Sequence, residues 1–289
     1  MNFSFESFVN GDFDYNQATE THTCLWIREE KMDIGGGRIS FEDIDRIKDY
    51  PDTNVVTISG LQQDTFEYFI NTYGKQFKAI RFFKNKYIED LSMLGTLPKL
   101  EYVHFFANQR ISSLWDMSQN FSLSGLCIED FTKLSTISEI ATAPKLKELR
   151  IGNSVWDRMV IDSLMPLANT AIERFMFYGK AIADNDYCFL EKMLKLKQFD
   201  FPTNMLTTEQ VAWIVANFPD LKGYALNAKL DCTLFDSSMN EVQGVHIVGK
   251  RKPSLIVEGN EKRIGNYIQS FEKLKKKYVG IPYKTAFKH

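Results

Sequence analysis

The sequence is short of clustered cysteine, clustered histidine, net charge and long apolar runs, and each shortage removes a class of function. Its four cysteines, Cys24, Cys127, Cys188 and Cys232, lie far outside the spacing of a C-x-x-C metal or redox motif. They read as reduced, mostly buried thiols of a cytoplasmic protein. The four histidines, His22, His104, His246 and His289, are equally dispersed, so neither a metal nor a cofactor is expected. No carboxylates form a recognisable acid–base pair. No apolar run approaches the roughly 18 residues of a membrane span. No Lys or Arg precedes Arg28, whereas Glu6, Asp12, Asp14 and Glu20 do, so a secretory leader is not expected. Thirty-five basic residues stand against 37 acidic ones, for a net charge of -2. That balance leaves no basic stripe for nucleic acid and no strong field for a membrane surface. The stretch Asp33-Ile-Gly-Gly-Gly37 lacks the Lys-Ser/Thr of a phosphate loop and is expected to be a turn.

What is abundant is aromatic and repetitive. The chain has 289 residues, 44% of them hydrophobic, including 23 Phe and 12 Tyr. That is enough for one large domain or two ordinary ones. A frame of apolar, two residues, apolar, one residue, apolar begins at Phe77, Leu100, Leu123 and Leu146, at intervals of 23 residues. In the first two copies, Phe77-Ile80-Phe82 and Leu100-Val103-Phe105, an Asn stands at the ninth position, Asn85 and Asn108. Looser copies follow at Ile172, Leu196 (with Asn204), Leu221 and Val242, and an early one carries Val56 and Ile58. Nine units are expected in all. Apolar residues two apart share one face of a strand, so each unit supplies a short strand that stacks parallel on the next. No single unit can bury its own apolar face, but the stack can. The ninth-position Asn can bond backbone where the chain leaves the strand. Between strands, Ile88, Leu91, Leu94 and Leu97, then Leu134, Ile137, Ile140 and Ala143, recur every three residues, which predicts 3-10 or short α segments. Asp64 to Tyr73 and Glu209 to Phe218 look helical, the second opened by Thr207 as N-cap.

The frame L-x-x-L-x-L-x-x-N, with returns such as Ile88-Glu-Asp-Leu-Ser-Met-Leu-Gly-Thr-Leu-Pro-Lys-Leu100, resembles bacterial leucine-rich repeats of the short, internalin-like type over residues 53 to 250. The resemblance implies an α/β leucine-rich-repeat solenoid. A curved parallel sheet would form its concave face, and 3-10 and α segments its convex face. Residues 1–52 would be an N-terminal cap containing strand-like Cys24 to Ile27 and helix-like Phe41 to Lys48. Residues 53–250 would be the repeats, and residues 251–289 a capping helix, Glu261 to Tyr278, with a tail. Ile264, Tyr267, Ile268, Phe271, Leu274 and Tyr278 share one face of that helix, while Lys273 and Lys275 to Lys277 crowd its last turns.

Within that frame the third, fifth and seventh residues of each unit point away from the core. They nominate a partner-binding face of Arg81, Phe83, Tyr102, His104, Phe106, Glu129, Arg150, Arg174 and Tyr178. Tyr, Phe and Arg dominate interface energetics. Phe83 and Phe106 on adjacent strands would be a costly surface unless a partner, a loop or the N-terminal segment covers them. The expected function is non-catalytic binding of a protein partner. An immunity or inhibitor protein against one toxin or enzyme is the alternative. An enzyme reading exists too: His104, Cys127 and Arg150 are consecutive in the central column, and a thiol beside His and Arg can become a nucleophile. An open sheet supplies neither an oxyanion hole nor exclusion of water.

Overall fold

The computed structural model describes residues 3–11, 24–28 and 37–287. Residues 33–36 of the Asp33-Ile-Gly-Gly-Gly37 stretch, His22 and His289 lie outside the described residues. In chain order the strands are β1 (Leu25–Ile27), β2 (Val55–Ile58), β3 (Ala79–Phe83), β4 (Tyr102–Asn108), β5 (Gly125–Phe131), β6 (Glu148–Gly152), β7 (Val160–Ile161), β8 (Arg174–Tyr178), β9 (Ala181–Ile182), β10 (Gln198–Asp200), β11 (Lys229–Phe235), β12 (Glu241–Ile247) and β13 (Ser254–Ile256). The α-helices are α1 (Phe5–Asn10), α2 (Phe41–Asp45), α3 (Gln63–Thr72), α4 (Thr208–Asn217), α5 (Glu261–Tyr278) and α6 (Tyr283–Ala286).

An eight-stranded sheet runs β1-β2-β3-β4-β5-β6-β8-β10, a separate three-stranded sheet runs β11-β12-β13, and β7 pairs with β9. The chain divides into two compact units, Met1–Arg174 with Gly179–Lys195, and Phe175–Tyr178 with Leu196–His289.

In the first unit the 23-residue frame sets the strand register. Thr57, Arg81, His104, Cys127 and Arg150 are successive partners across β2 to β6, and Phe83 faces Phe106. Ile80, Phe82, Val103, Phe105, Leu126, Ile128, Leu149 and Ile151 are buried on the opposite face. The returns add Ile88, Leu91, Leu94 and Leu97 to that core, with 3-10 turns at Ser92–Thr96 and Ser138–Thr142. The chain leaves β3, β4 and β5 through left-handed residues Lys84, Ala107 and Asp130 (φ 56°, 60° and 56°). The ninth-position asparagines then bond buried backbone groups where the chain turns. Asn85 Nδ2 donates to Ile58 O, and its Oδ1 accepts from Leu61 N (both 2.9 Å). Asn108 Nδ2 donates to Asn85 O and Ile88 O, while its Oδ1 accepts from Arg110 N and Ile111 N. Asn204, at the same position of a later copy, is exposed instead.

The expected solenoid is corrected. Parallel pairing ends at an isolated bridge, Gln198 to Lys222, so the copy at Leu221 makes no strand. Val242, Val245 and Ile247 lie in β12, which runs antiparallel to both β11 and β13. The local turn chemistry decides this. Asp236 Oδ1 accepts from Ser238 N (2.8 Å) and Asn240 N (2.9 Å), and Met239 adopts φ 63°. A closed hairpin is thereby favoured over a long return to a parallel edge. Those backbone and side-chain N–H groups, Asn240's first, also hold the Asp236 carboxyl below its usual range. The helices do not form a convex layer either. α1 packs on the sheet face that the frame leaves open, and α4 packs on α5.

In the second unit, α4 opens with a capping box: Gln210 N donates to Thr207 Oγ1 and Thr207 N to Gln210 Oε1. α5 spans the range that its apolar spacing predicts, burying Ile264, Phe271 and Tyr278. Ile264 joins Val245, Ile247 and Leu255 in one cluster.

Candidate functional site

The site is built on the third, fifth and seventh columns of the first unit, where α1 packs on the sheet. Six residues make this helix. Ser4 accepts a hydrogen bond from Ser7 N (3.1 Å), and Gly11 closes it in the left-handed region (φ 83°). Phe5, Phe8 and Val9, at i, i+3 and i+4, share one face and are buried. They form a cluster with Cys24, Val55, Ala79 and Cys127, and Phe3, Trp26 and Tyr102 pack at its edge. Gly125 makes this docking possible, because a Cβ there would stand 2.2 Å from the Phe5 ring.

A line of charged side chains runs next to this apolar cluster. Arg81 Nη2 donates to Val9 O (2.6 Å), a carbonyl in the last turn of α1, and its Nε donates to His104 Nδ1 (3.1 Å). His104 Nε2 lies 2.9 Å from Glu129 Oε2, and Arg150 Nε lies 3.8 Å from Glu129 Oε1. A guanidinium has no lone pair to offer, so His104 Nδ1 is the acceptor. The proton therefore sits on Nε2 and is donated to Glu129. His104 is 2% exposed and Glu129 6%. Burial, the largest influence, pushes the His104 imidazole below its ordinary range. Glu129 pulls the other way, while Arg81 and Arg150 reinforce the lowering.

Because the folded state lowers this pKa, the unfolded chain takes up the proton more readily. The resulting stability is present above pH 6.5, the ordinary value, and is lost as pH falls below it. In a heteronuclear NMR titration His104 is therefore expected to hold the Nε2–H tautomer at pH 6.5. An imidazole half-protonated at that pH would contradict the arrangement.

His104, Cys127 and Glu129 bring one ligand atom each to within 4.8 Å of one another. The trio resembles a zinc ligand set in residue type. The donor set does not suit a cation. A neutral imidazole has one lone pair, and Arg81 occupies it. The single Glu129 carboxylate already accepts from His104 and faces the Arg150 guanidinium. The arrangement is a hydrogen-bonded charge network that positions strands and helix.

The nine nominated residues are thus distributed unequally. Arg81, His104 and Glu129 are consumed in the network, Tyr102 lies against Phe3, Phe5 and Phe8, and Arg150 borders Glu129. Phe83 and Phe106 remain half-buried at the strand ends, stacked on each other with centroids 5.1 Å apart and planes 15° apart. Arg174 is exposed and pairs with Glu148 (2.7 Å). Tyr178 is half-buried in the second unit. Phe5, Phe8 and Val9 were not among the nominated residues; their spacing ahead of Gly11 spans only six residues, too few to establish a helical period.

The chain matches no family model and no curated protein. The likeness to internalin-like repeats therefore rests on the residue pattern alone.

Cys127 is fully buried beneath Phe5 and Phe8, which leaves a substrate no path to its sulfur. A thiol-reactive probe added to the native chain is expected to label the partly exposed Cys188 and Cys232 and to leave Cys127 unlabelled until denaturant is added. Fast native labelling at Cys127 would revive a nucleophile there.

Proposed function

We propose that this chain is a non-catalytic protein-binding protein of the cytoplasm, and that it takes a protein partner at the Phe83–Phe106 end of its parallel sheet. One observation carries the reading: two stacked, half-exposed phenylalanines at paired positions of adjacent strands. Lys84 Nζ sits 5.2 Å from the Phe83 ring centre and supplies a charged rim. A stacked pair is already ordered, so it loses little side-chain freedom on binding. Arg174 adds an exposed guanidinium of the type enriched at interface hot spots. Of the groups that suggested catalysis, His104 is tied to Arg81 and Glu129, Cys127 is buried against α1, and Arg150 faces Glu129. Four free thiols suit a reducing compartment. Among the described residues no helix is long and apolar enough to cross a membrane.

The test is capture from a lysate by the native chain and by a Phe83→Ser/Phe106→Ser variant whose folding has been confirmed by thermal melting. Each protein captured by the native chain is then purified and titrated against both. Loss of two hot-spot side chains is expected to weaken the interaction by about 30-fold or more. A purified partner that binds the variant as tightly as the native chain would place the contact surface elsewhere.

A further inference from the structure

The three-stranded sheet of the second unit carries an edge built like a self-pairing surface. β11 is its edge strand, seven residues without Pro or Gly, in unbroken register with β12. Two bonds fix which way its backbone points. Asp236 N donates to Asn240 O (3.0 Å), and Val248 N donates to Ala228 O (3.1 Å). By the alternation of an antiparallel ladder, Leu230, Cys232 and Leu234 turn their N–H and C=O toward β12. Lys229, Asp231, Thr233 and Phe235 turn theirs outward, where no other strand among the described residues meets them. Edges are commonly guarded by Pro, bulges or unpaired Lys. Here the one Lys is neutralised by Asp231 on the same strand. Beyond it the end of the hairpin exposes Phe235 (57%) and Met239 (75%).

We propose that β11 pairs antiparallel with β11 of a second copy of this chain, about a two-fold axis at Cys232. Cys232 is the middle residue of the strand, so an axis there pairs all seven residues. Lys229 then faces Phe235, Leu230 faces Leu234, Asp231 faces Thr233, and Cys232 faces its own copy. Outward backbone groups meet outward backbone groups, as the ladder requires. No like charges oppose, the Lys229 stem lies against an aromatic ring, and the apolar side chains two residues either side of the axis meet each other. An axis at Asp231 would set two carboxylates face to face. The symmetric Leu230-x-Cys232-x-Leu234 core of the strand, with each charged residue set against an uncharged one, fits a second copy, since a foreign strand does not require that symmetry. The surface is independent of the Phe83–Phe106 site.

Across a non-hydrogen-bonded antiparallel pair the Cα atoms stand about 4.5 Å apart, within the span that a disulfide accepts. The experiment uses the full chain. Light scattering behind size exclusion is expected to show a concentration-dependent dimer. Copper–phenanthroline, the added oxidant, should take two electrons and two protons from the paired thiols and leave a Cys232–Cys232 link, visible by peptide mapping and absent from Cys232→Ser. Thr233 is exposed and its N–H does not serve β12, so substitutions there spare the fold. Thr233→Asp places two carboxylates opposite the two copies of Asp231 and should weaken the dimer about tenfold, while Thr233→Lys should hold it at least as well as the native chain. A chain that stays monomeric up to its solubility limit overturns the proposal. So does a dimer that ignores the charge at 233 and yields no Cys232 link.

Discussion

Replacing Glu129 with alanine is expected to lower the unfolding free energy by about 3 kcal/mol. The side chain is small in volume, and the loss comes from what it leaves behind. His104 Nε2–H is left without its acceptor in a site almost closed to water, and Arg150 loses its carboxylate partner. An uncompensated buried donor and charge cost more than the intact pair contributes. Glu129→Gln keeps an acceptor for His104 while losing the charge, so its loss should fall between native and alanine. Urea denaturation at pH 7 measures both. A loss below about 1 kcal/mol for the alanine variant, as for a surface ion pair, would mean that water reaches this network.

The helix above the network carries the second large effect. Phe8→Ala is expected to cost about 3 kcal/mol or more, since the ring is fully buried against Tyr102 and beside His104. Gly125→Ala attacks the same docking from below. Its new methyl would lie 2.2 Å from the Phe5 ring, whose neighbours leave it little room to retreat, so a cost of about 2 kcal/mol is expected. The two substitutions act on one event, the seating of α1. Once the helix has left the sheet, the second change has nothing further to remove. The double variant should therefore lose clearly less than the sum. Strict additivity in a double-mutant cycle would show that Phe8 and Gly125 stabilise the fold separately.

Much of the first unit was legible from spacing. Apolar residues at a 23-residue interval placed Ile80 beside Val103 and Phe82 beside Phe105, and with them the outward columns. The backbone duties of Asn85 and Asn108 followed from their place where the strand ends. α5 was legible because eighteen residues give its apolar stripe time to declare a period of 3.6. α1 was not, because one and a half turns are too few for periodicity, and its seat at Gly125 lies far along the chain. Nor was the hairpin of β11 and β12, because Val242, Val245 and Ile247 fit the repeat frame as well as they fit an antiparallel strand. The turn from Asp236 to Asn240 decided between them.

By itself the sequence determined which side chains stand next to one another along the columns of the sheet, since a repeated interval returns the same position to the same place in each parallel strand. The tertiary structure alone decided which of those columns meet solvent. Burial depends on what lies across the chain: α1, packed on the face that the frame leaves open, buries Cys127 and His104 and partly covers Tyr102, while Phe83 and Phe106 stay half-exposed.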